Sequence, residues 1–161
     1  NILGLEMVLM NGEVLRLGRL KRRARPRKVL LLIDVSGSMK GRTDDNMKLA
    51  HVLMHSAPNV EVFTFGTRLT RVTRALRLKR REQALSAAAH LVSDWDGGTR
   101  IGDALQAFLA VPRFGSYARG AAVVILSDGL ERGDPSALQD AVAKLSRRAW
   151  RLSWLTPLAS R

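Results

Sequence analysis

Apolar residues along the chain follow two spacings, and the two alternate. Residues 29–33, VLLLI, are apolar without a break, as expected of a strand covered on both faces. A second such run lies in GAAVVILSDG, over 121–127. NVEVFTFG sets Val60, Val62 and Thr64 against Glu61, Phe63 and Phe65, a β-branched and aromatic strand pattern. WRLSWLTPL reads as a last strand, closed by Pro157. Between these runs the spacing becomes helical. DDNMKLAHVLMHSA places apolar side chains at 47, 49, 50, 53 and 54, with Asp44 or Asp45 as the expected N-cap. REQALSAAAHLVSD and IGDALQAFLAV predict two more helices, the second stopped near Pro112. In DPSALQDAVAKLSRRA, Asp134 caps and Pro135 occupies the first helical position. RLTRVTRAL reads as a short edge strand, although arginine at every third position (68, 71, 74, 77) suits neither period. VLMNGEVLRL contains Asn11-Gly12, a hairpin signal, with a helix over 2–10 as the alternative.

Strands alternating with helices predict an α/β class: a central, mainly parallel sheet flanked by helices on both faces. Strands near 29–34, 60–65 and 121–127 should be central, with 150–155 further out. No internal repeat is present.

The length, 161 residues, suits one domain. Cysteine is absent, which excludes disulfides and thiolate metal sites and suits a cytoplasmic protein. No apolar run approaches the roughly 20 residues needed to span a membrane, which leaves peripheral contact open. There is no signal-peptide pattern, and the first residue, Asn1, points to a trimmed chain. Charge changes the picture more. Lys and Arg number 27 against 14 acidic residues, a net +13. The excess is concentrated: residues 1–28 hold eight basic and two acidic side chains, and residues 66–81 hold seven basic and no acidic ones. Such a surface attracts nucleic acid, phospholipid or an acidic protein. No RNA-binding signature accompanies it, so a solvated, arginine-rich surface is the plainer reading. GRLKRRARPRK, with Pro26, reads as a basic linker.

Two buried strands end alike, in Asp34 and in Asp128. In an open α/β sheet, sites form beyond the carboxyl ends of the strands. Asp34 and Asp128 with the hydroxyls of Ser36 and Ser38 would make an all-oxygen pocket there, suited to Mg²⁺ with ligands at about 2.0–2.1 Å. Fully extended, Asp34 to Ser38 would span about 13 Å, so the chain must curl, and Gly37 would permit a positive φ. Thr99 follows two glycines, just before a helix, and offers a further hydroxyl. Neutral hydroxyls would leave the ion electrophilic and ready for an outside carboxylate. The two aspartate-bearing strands must then be parallel neighbours.

DVSGSM resembles the Asp-x-Ser-x-Ser motif of von Willebrand factor A domains, GGTRIGDAL their threonine loop, and ILSDG their second aspartate. RPRKVLLLIDVSGSM, FTFGTRLTRVTRAL, WDGGTRIGDAL, SDGLERGDP and WLTPL are similar to the CoxE-like branch, over about residues 13–158. The resemblance implies a von Willebrand A (Rossmann-like) fold. It also implies a metal-ion-dependent adhesion site formed by Asp34, Ser36, Ser38, Thr99 and Asp128, binding Mg²⁺ with Mn²⁺ as an alternative. It further implies an interaction domain rather than an enzyme, partnered by a MoxR-type AAA+ ATPase or its client and serving maturation of a metalloenzyme such as carbon monoxide dehydrogenase. Such domains have about six strands and five are counted here. The expected organisation is therefore a basic segment over 1–27, as a hairpin or with 13–17 as an extra edge strand, and a domain over 28–161 truncated at its C-terminus.

The bland readings stand beside these. Asp34 could cap a helix. Asp96, Asp103 and Glu131 near the same rim read as surface, cap or supporting groups. Arg100 and Arg132 flank the site, where they would grip a partner carboxylate or stay solvated, and the +13 charge would speed encounter with an acidic partner. His51 and His55 are spaced like zinc ligands, but Val52 stands where a zinc protease needs glutamate. Phe63 and Phe65 read as core; Trp95 packs by the Thr99 loop or lies on a contact surface. An aspartate-based phosphatase would need a second acid where Ser36 stands. A P-loop and a Gly-x-Ser-x-Gly elbow are both absent. A basic nucleic-acid-binding module is the remaining alternative, and steep salt dependence would mark it.

Overall fold

The computed structural model describes residues 26–92 and 100–156 in full and the backbone of 4–8 and 14–18. Gly4–Val8 (β1) and Val14–Gly18 (β2) pair antiparallel in a two-stranded sheet. Of residues 13–17, weighed as an extra edge strand, 14–17 pair with β1 and not with the larger sheet.

The larger sheet is built from Val29–Asp34 (β3), Val60–Phe65 (β4), Leu69–Arg71 (β5), Ala122–Leu126 (β6) and Arg151–Leu155 (β7), in the order β5-β4-β3-β6-β7. All neighbours are parallel except β5, which runs antiparallel on the edge beside β4. From β3 the chain moves to one side for β4 and later returns to the other side for β6. Strand order therefore reverses at β3, the place where open α/β sheets form their sites.

Among the described residues, six α-helices connect the strands: Lys40–Ser56 (α1), Thr73–Leu76 (α2), Arg81–Leu91 (α3), Ile101–Ala110 (α4), Pro112–Tyr117 (α5) and Pro135–Arg148 (α6). The unbroken VLLLI run reflects burial on both faces. Leu31 and Ile33 pack with Met47, Ala50, Val62, Leu76 and Ala88, beneath α1 to α3. Leu30 and Leu32 pack with Phe63, Leu105, Phe108, Ile125 and Leu145, beneath α4 and α6. Phe63 is the hub of the second core, with Phe108 and Phe114 rings at 5.1 and 4.9 Å in edge-on contact. Truncating such a side chain costs about 3–5 kcal/mol.

Two expectations about local structure change. The cap of α1 is neither Asp44 nor Asp45. A 3₁₀ turn over Gly37–Met39 runs straight into the helix at Lys40, with Met39 at the cap. The first helical turn projects from the sheet edge and buries little, so apolar periodicity becomes visible only from Met47. Thr43 Oγ1 donates to the Met39 carbonyl at 3.0 Å, and Asp44 and Asp45 instead pair with Lys48. Second, Gly37 does not take a positive φ: among the described residues only Gly120 and Gly129 do. The curl after Asp34 is a right-handed 3₁₀ turn. Asp134 does cap α6, accepting from the Ser136 backbone N–H at 2.8 Å, with Pro135 behind it. Among the described residues no helix is long and apolar enough to cross a membrane.

Candidate metal centre

Asp34 is the last residue of β3 and is fully buried. Hydrogen bonds fix both carboxylate oxygens. Oδ1 accepts from the Ser36 N–H at 2.9 Å, which turns the chain back on itself. Oδ2 accepts from Ser127 Oγ at 2.6 Å, a bond spanning the gap from β3 to β6. The Val35 N–H donates to the Phe65 carbonyl at 2.9 Å, so β4 holds the same turn from the other side. Ser36 is buried in extended conformation and Ser38 is exposed two residues later in the 3₁₀ turn. Their hydroxyl oxygens lie 3.1 Å apart.

That separation tests the site against a metal. Two adjacent ligands of an octahedral ion with bonds of about 2.1 Å sit about 3.0 Å apart. The Ser36 and Ser38 oxygens already stand at that spacing, beside a carboxylate. Among the described residues no three histidine, cysteine or acidic side chains gather as a metal-binding group. The donor set fits a hard cation through hydroxyls plus carboxylates instead.

Asp128 follows β6 by two residues. Strand pairing sets Ile33 beside Leu126, and so Asp34 beside Ser127. Strand spacing then puts the Asp128 backbone within about 6 Å of that of Asp34. Asp128 is half-buried, and its Oδ1 accepts from the Leu130 N–H at 3.0 Å. Gly129 turns the chain with φ +79°, where a side chain would be strained. The turn is braced from β7: Trp154 Nε1 donates to the Ser127 carbonyl at 3.0 Å, and the Ser127 N–H to the Leu155 carbonyl at 3.2 Å.

Thr99, Asp96 and Trp95 lie outside the described residues. Arg100, directly after Thr99, is the N-cap of α4, and this helix start is tied to the Asp128 loop through Glu131. Glu131 Oε2 accepts from the Gly102 N–H at 2.7 Å and Oε1 from the Gly133 N–H at 2.5 Å. The carboxylate caps from another loop a helix that has no side-chain cap of its own. Gly102 is required for the fit, since a Cβ there would meet the α6 backbone at 2.7 Å. Glu131 is thus a brace between two arms of the site.

Arg100 and Arg132 are both exposed, and Arg100 Nη1 reaches Asp103 Oδ2 at 3.7 Å. A cavity of about 390 Å³ opens beside α4, lined by Gly66, Thr67, Leu69, Arg100, Asp103 and Ala104. His51 and His55 are far from this edge in the fold; both Nε2 atoms contact the Leu78 carbonyl, at 3.0 and 3.3 Å. Ser127 is the residue that sequence reasoning missed. Its signal was a polar side chain in the last buried step before Asp128.

A mainly parallel sheet between two helical layers, with acids and hydroxyls at its carboxyl edge where strand order reverses, defines a Rossmann-like α/β domain of the von Willebrand factor A class. The chain belongs to the family of VWA domain containing CoxE-like proteins, whose profile matches residues 7–161. Solved structures share the fold. An aerotolerance-related membrane protein from Bacteroides fragilis is 21% identical with a TM-score of 0.52, over 81% of this chain and 67% of that one. A von Willebrand factor type A protein from Catenulispora acidiphila is 18% identical with a TM-score of 0.53, over 88% and 36%. Proximal thread matrix protein 1 from the mussel byssus, with a zinc-occupied MIDAS motif, is 18% identical with a TM-score of 0.52, over 81% and 37%. The chain thus spans little more than a third of the length of the last two. No curated protein matches it.

Proposed function

We propose that this chain is a divalent-cation-dependent protein-interaction domain, with Asp34, Ser36, Ser38, Thr99 and Asp128 holding the ion. The observation that carries the reading is the Ser36–Ser38 oxygen pair at 3.1 Å, set beside a carboxylate locked on both oxygens. The mussel byssus relative, which carries zinc in such a motif, supports a divalent ion, and the oxygen donor set favours Mg²⁺ or Mn²⁺. A bound ion of this kind supplies an electrophilic position for an incoming carboxylate. Five donors leave an octahedral ion at least one such position. Arg100 and Arg132, exposed near that rim, favour a negative group, and the cavity along α4 gives room for the side chains beside it. The partner fitting this site presents an aspartate or glutamate, and the CoxE-like family points to a cytoplasmic MoxR-type AAA+ ATPase or its client, in the maturation of a metalloenzyme such as carbon monoxide dehydrogenase. The domain needs no catalytic group for this work. A pull-down with the cognate ATPase, run in Mg²⁺ and again in EDTA, tests the proposal. Partner loss in EDTA and with Asp34→Asn is expected; equal capture in both conditions would sink it.

A further inference from the structure

Arg100 and Arg132 flank the proposed metal, but a larger group of cations among the described residues sits elsewhere. Among the described residues, Asp34, Asp103, Asp128, Glu131 and Asp134 all lie at the carboxyl edge of the sheet or at helix starts beside it. Basic side chains gather at the opposite edge, where the parallel strands begin. Arg27 and Lys28 lead into β3, Arg119 precedes β6, and Arg147, Arg148 and Arg151 bracket the start of β7, all exposed. The turn from α2 to α3 brings Arg77 and the exposed basic residues through Arg81 to the same edge. Arg77 there shares a cavity of about 230 Å³ with Lys28, Asn59 and Ser116. The carboxylate in its wall, Glu61, is already engaged, by Arg71 Nε and Nη2 at 2.9 Å each and by Thr73 Oγ1 at 2.8 Å. Glu82, at the start of α3, is the other acid nearby.

Large apolar side chains are exposed among these cations: Leu78 at 43%, Val111 at 40% and Trp150 at 54%. Arg27 lies over the Trp150 ring, its guanidinium carbon 4.3 Å from the centroid. Cations interspersed with tryptophan and aliphatic side chains suit the boundary between lipid headgroups and acyl chains. A single-stranded nucleic acid calls instead for a row of exposed stacking rings; among the described residues here, Tyr117 in the cavity wall is half-buried against Phe63, and the exposed large side chains beside Trp150 are aliphatic. The metal edge exposes Leu130 and Leu155 as well, but there the cations Arg100 and Arg132 are interspersed with Asp103, Asp128, Glu131 and Asp134, so that edge lacks the one-signed charge an anionic surface attracts.

We propose that the amino edge of the sheet docks on an anionic lipid bilayer. Headgroup phosphates meet the arginines and lysines, with the cavity between Lys28 and Arg77 receiving one of them, and Trp150, Leu78 and Val111 enter the boundary layer. The two edges of the sheet are opposed. A domain held this way presents its metal edge away from the membrane, so lipid and protein partner bind together without competition.

The test is co-sedimentation of the full chain, in EDTA, with vesicles half of phosphatidylglycerol and half of phosphatidylcholine, and with phosphatidylcholine alone. Binding is expected only with the anionic lipid, and should weaken at least about tenfold between about 0.05 and about 0.5 M salt. A variant combining Lys28→Glu, Arg77→Glu and Arg80→Glu, shown folded by circular dichroism, should lose about tenfold or more. Trp150→Ala should lose several-fold with its salt dependence unchanged. Asp34→Asn should bind vesicles as well as the parent chain, so failure of the metal reading leaves this result intact. The proposal is overturned if the triple variant binds vesicles normally, if neutral vesicles bind equally, or if polyuridylate RNA binds while vesicles do not.

Discussion

Three aspartates of this chain make the same local bond and live in different surroundings. Asp34 accepts from the Ser36 N–H at 2.9 Å, Asp128 from the Leu130 N–H at 3.0 Å, and Asp134 from the Ser136 N–H at 2.8 Å. Each thereby turns the chain two residues on, as aspartate does in turns and caps. Asp34 is fully buried at a strand end and is also gripped across the sheet by Ser127. Asp128 is half-buried, and its loop is braced through neighbours. Asp134 is exposed and only starts a helix. The shared turn is therefore neutral with respect to function. Burial and the second, long-range partner set the proposed ligand Asp34 apart from Asp128 and from the cap Asp134.

Substitutions can break this ranking. Asp34→Asn is expected to have the largest effect, a loss of Mn²⁺ affinity beyond the roughly 100-fold that outer groups of metal sites cost. Isothermal calorimetry reads it. Asp128→Asn should cost less, since its side chain is half-buried and held by a local bond to the Leu130 N–H; equal losses in the two variants would show that burial does not rank them.

Ser127→Ala removes the hydroxyl that orients Asp34 without touching a proposed ligand. Metal affinity should fall about tenfold. The apo domain should lose about 1–3 kcal/mol in urea unfolding, because the buried Asp34 carboxylate loses a hydrogen bond from the Ser127 hydroxyl. Unchanged affinity would mean that Asp34 is held well enough without the Ser127 hydroxyl. Trp154→Phe keeps the ring packing and removes the N–H to the Ser127 carbonyl. A loss of about 1 kcal/mol is expected, seen as a melting temperature lower by about 2–4 °C.

Asp134 sharpens the comparison from the weak end. The Ser136 hydroxyl, and after it the Ser136 N–H, hold its carboxyl below the usual range by favouring the charged form. Its contribution to stability is therefore present above the ordinary carboxylate pKa and is lost as pH falls through the lowered value. In Ser136→Ala the titration midpoint, followed by NMR, should move up toward the ordinary value while metal affinity stays unchanged. A metal defect in that variant would place α6 in the site.

Much of this was open to local reading. Alternating strand and helix spacings, the two-sided burial of VLLLI and the Asp134-Pro135 start each depend on residues a few positions apart. The start of α1 was misplaced, because the first turn beyond Asp34 buries little and leaves no apolar rhythm to read. Glu131 looked like a rim acid, because nothing near it in the chain shows that its carboxylate caps α4, 29 residues upstream.

The sequence by itself determined the class of the sheet and the positions of Asp34, Ser36, Ser38 and Asp128 at strand ends, since strand period and chain direction place them there. Tertiary structure alone decided that Ser127 would grip Asp34 from 93 residues away and that the serine oxygens would stand at 3.1 Å. It also decided the sidedness of the charge. Composition sums charges without regard to place, whereas a parallel sheet collects every strand's start at one edge and every strand's end at the other. Among the described residues, cations from distant parts of the chain, from Arg27 to Arg151, thereby gather at the edge opposite Asp34 and Asp128.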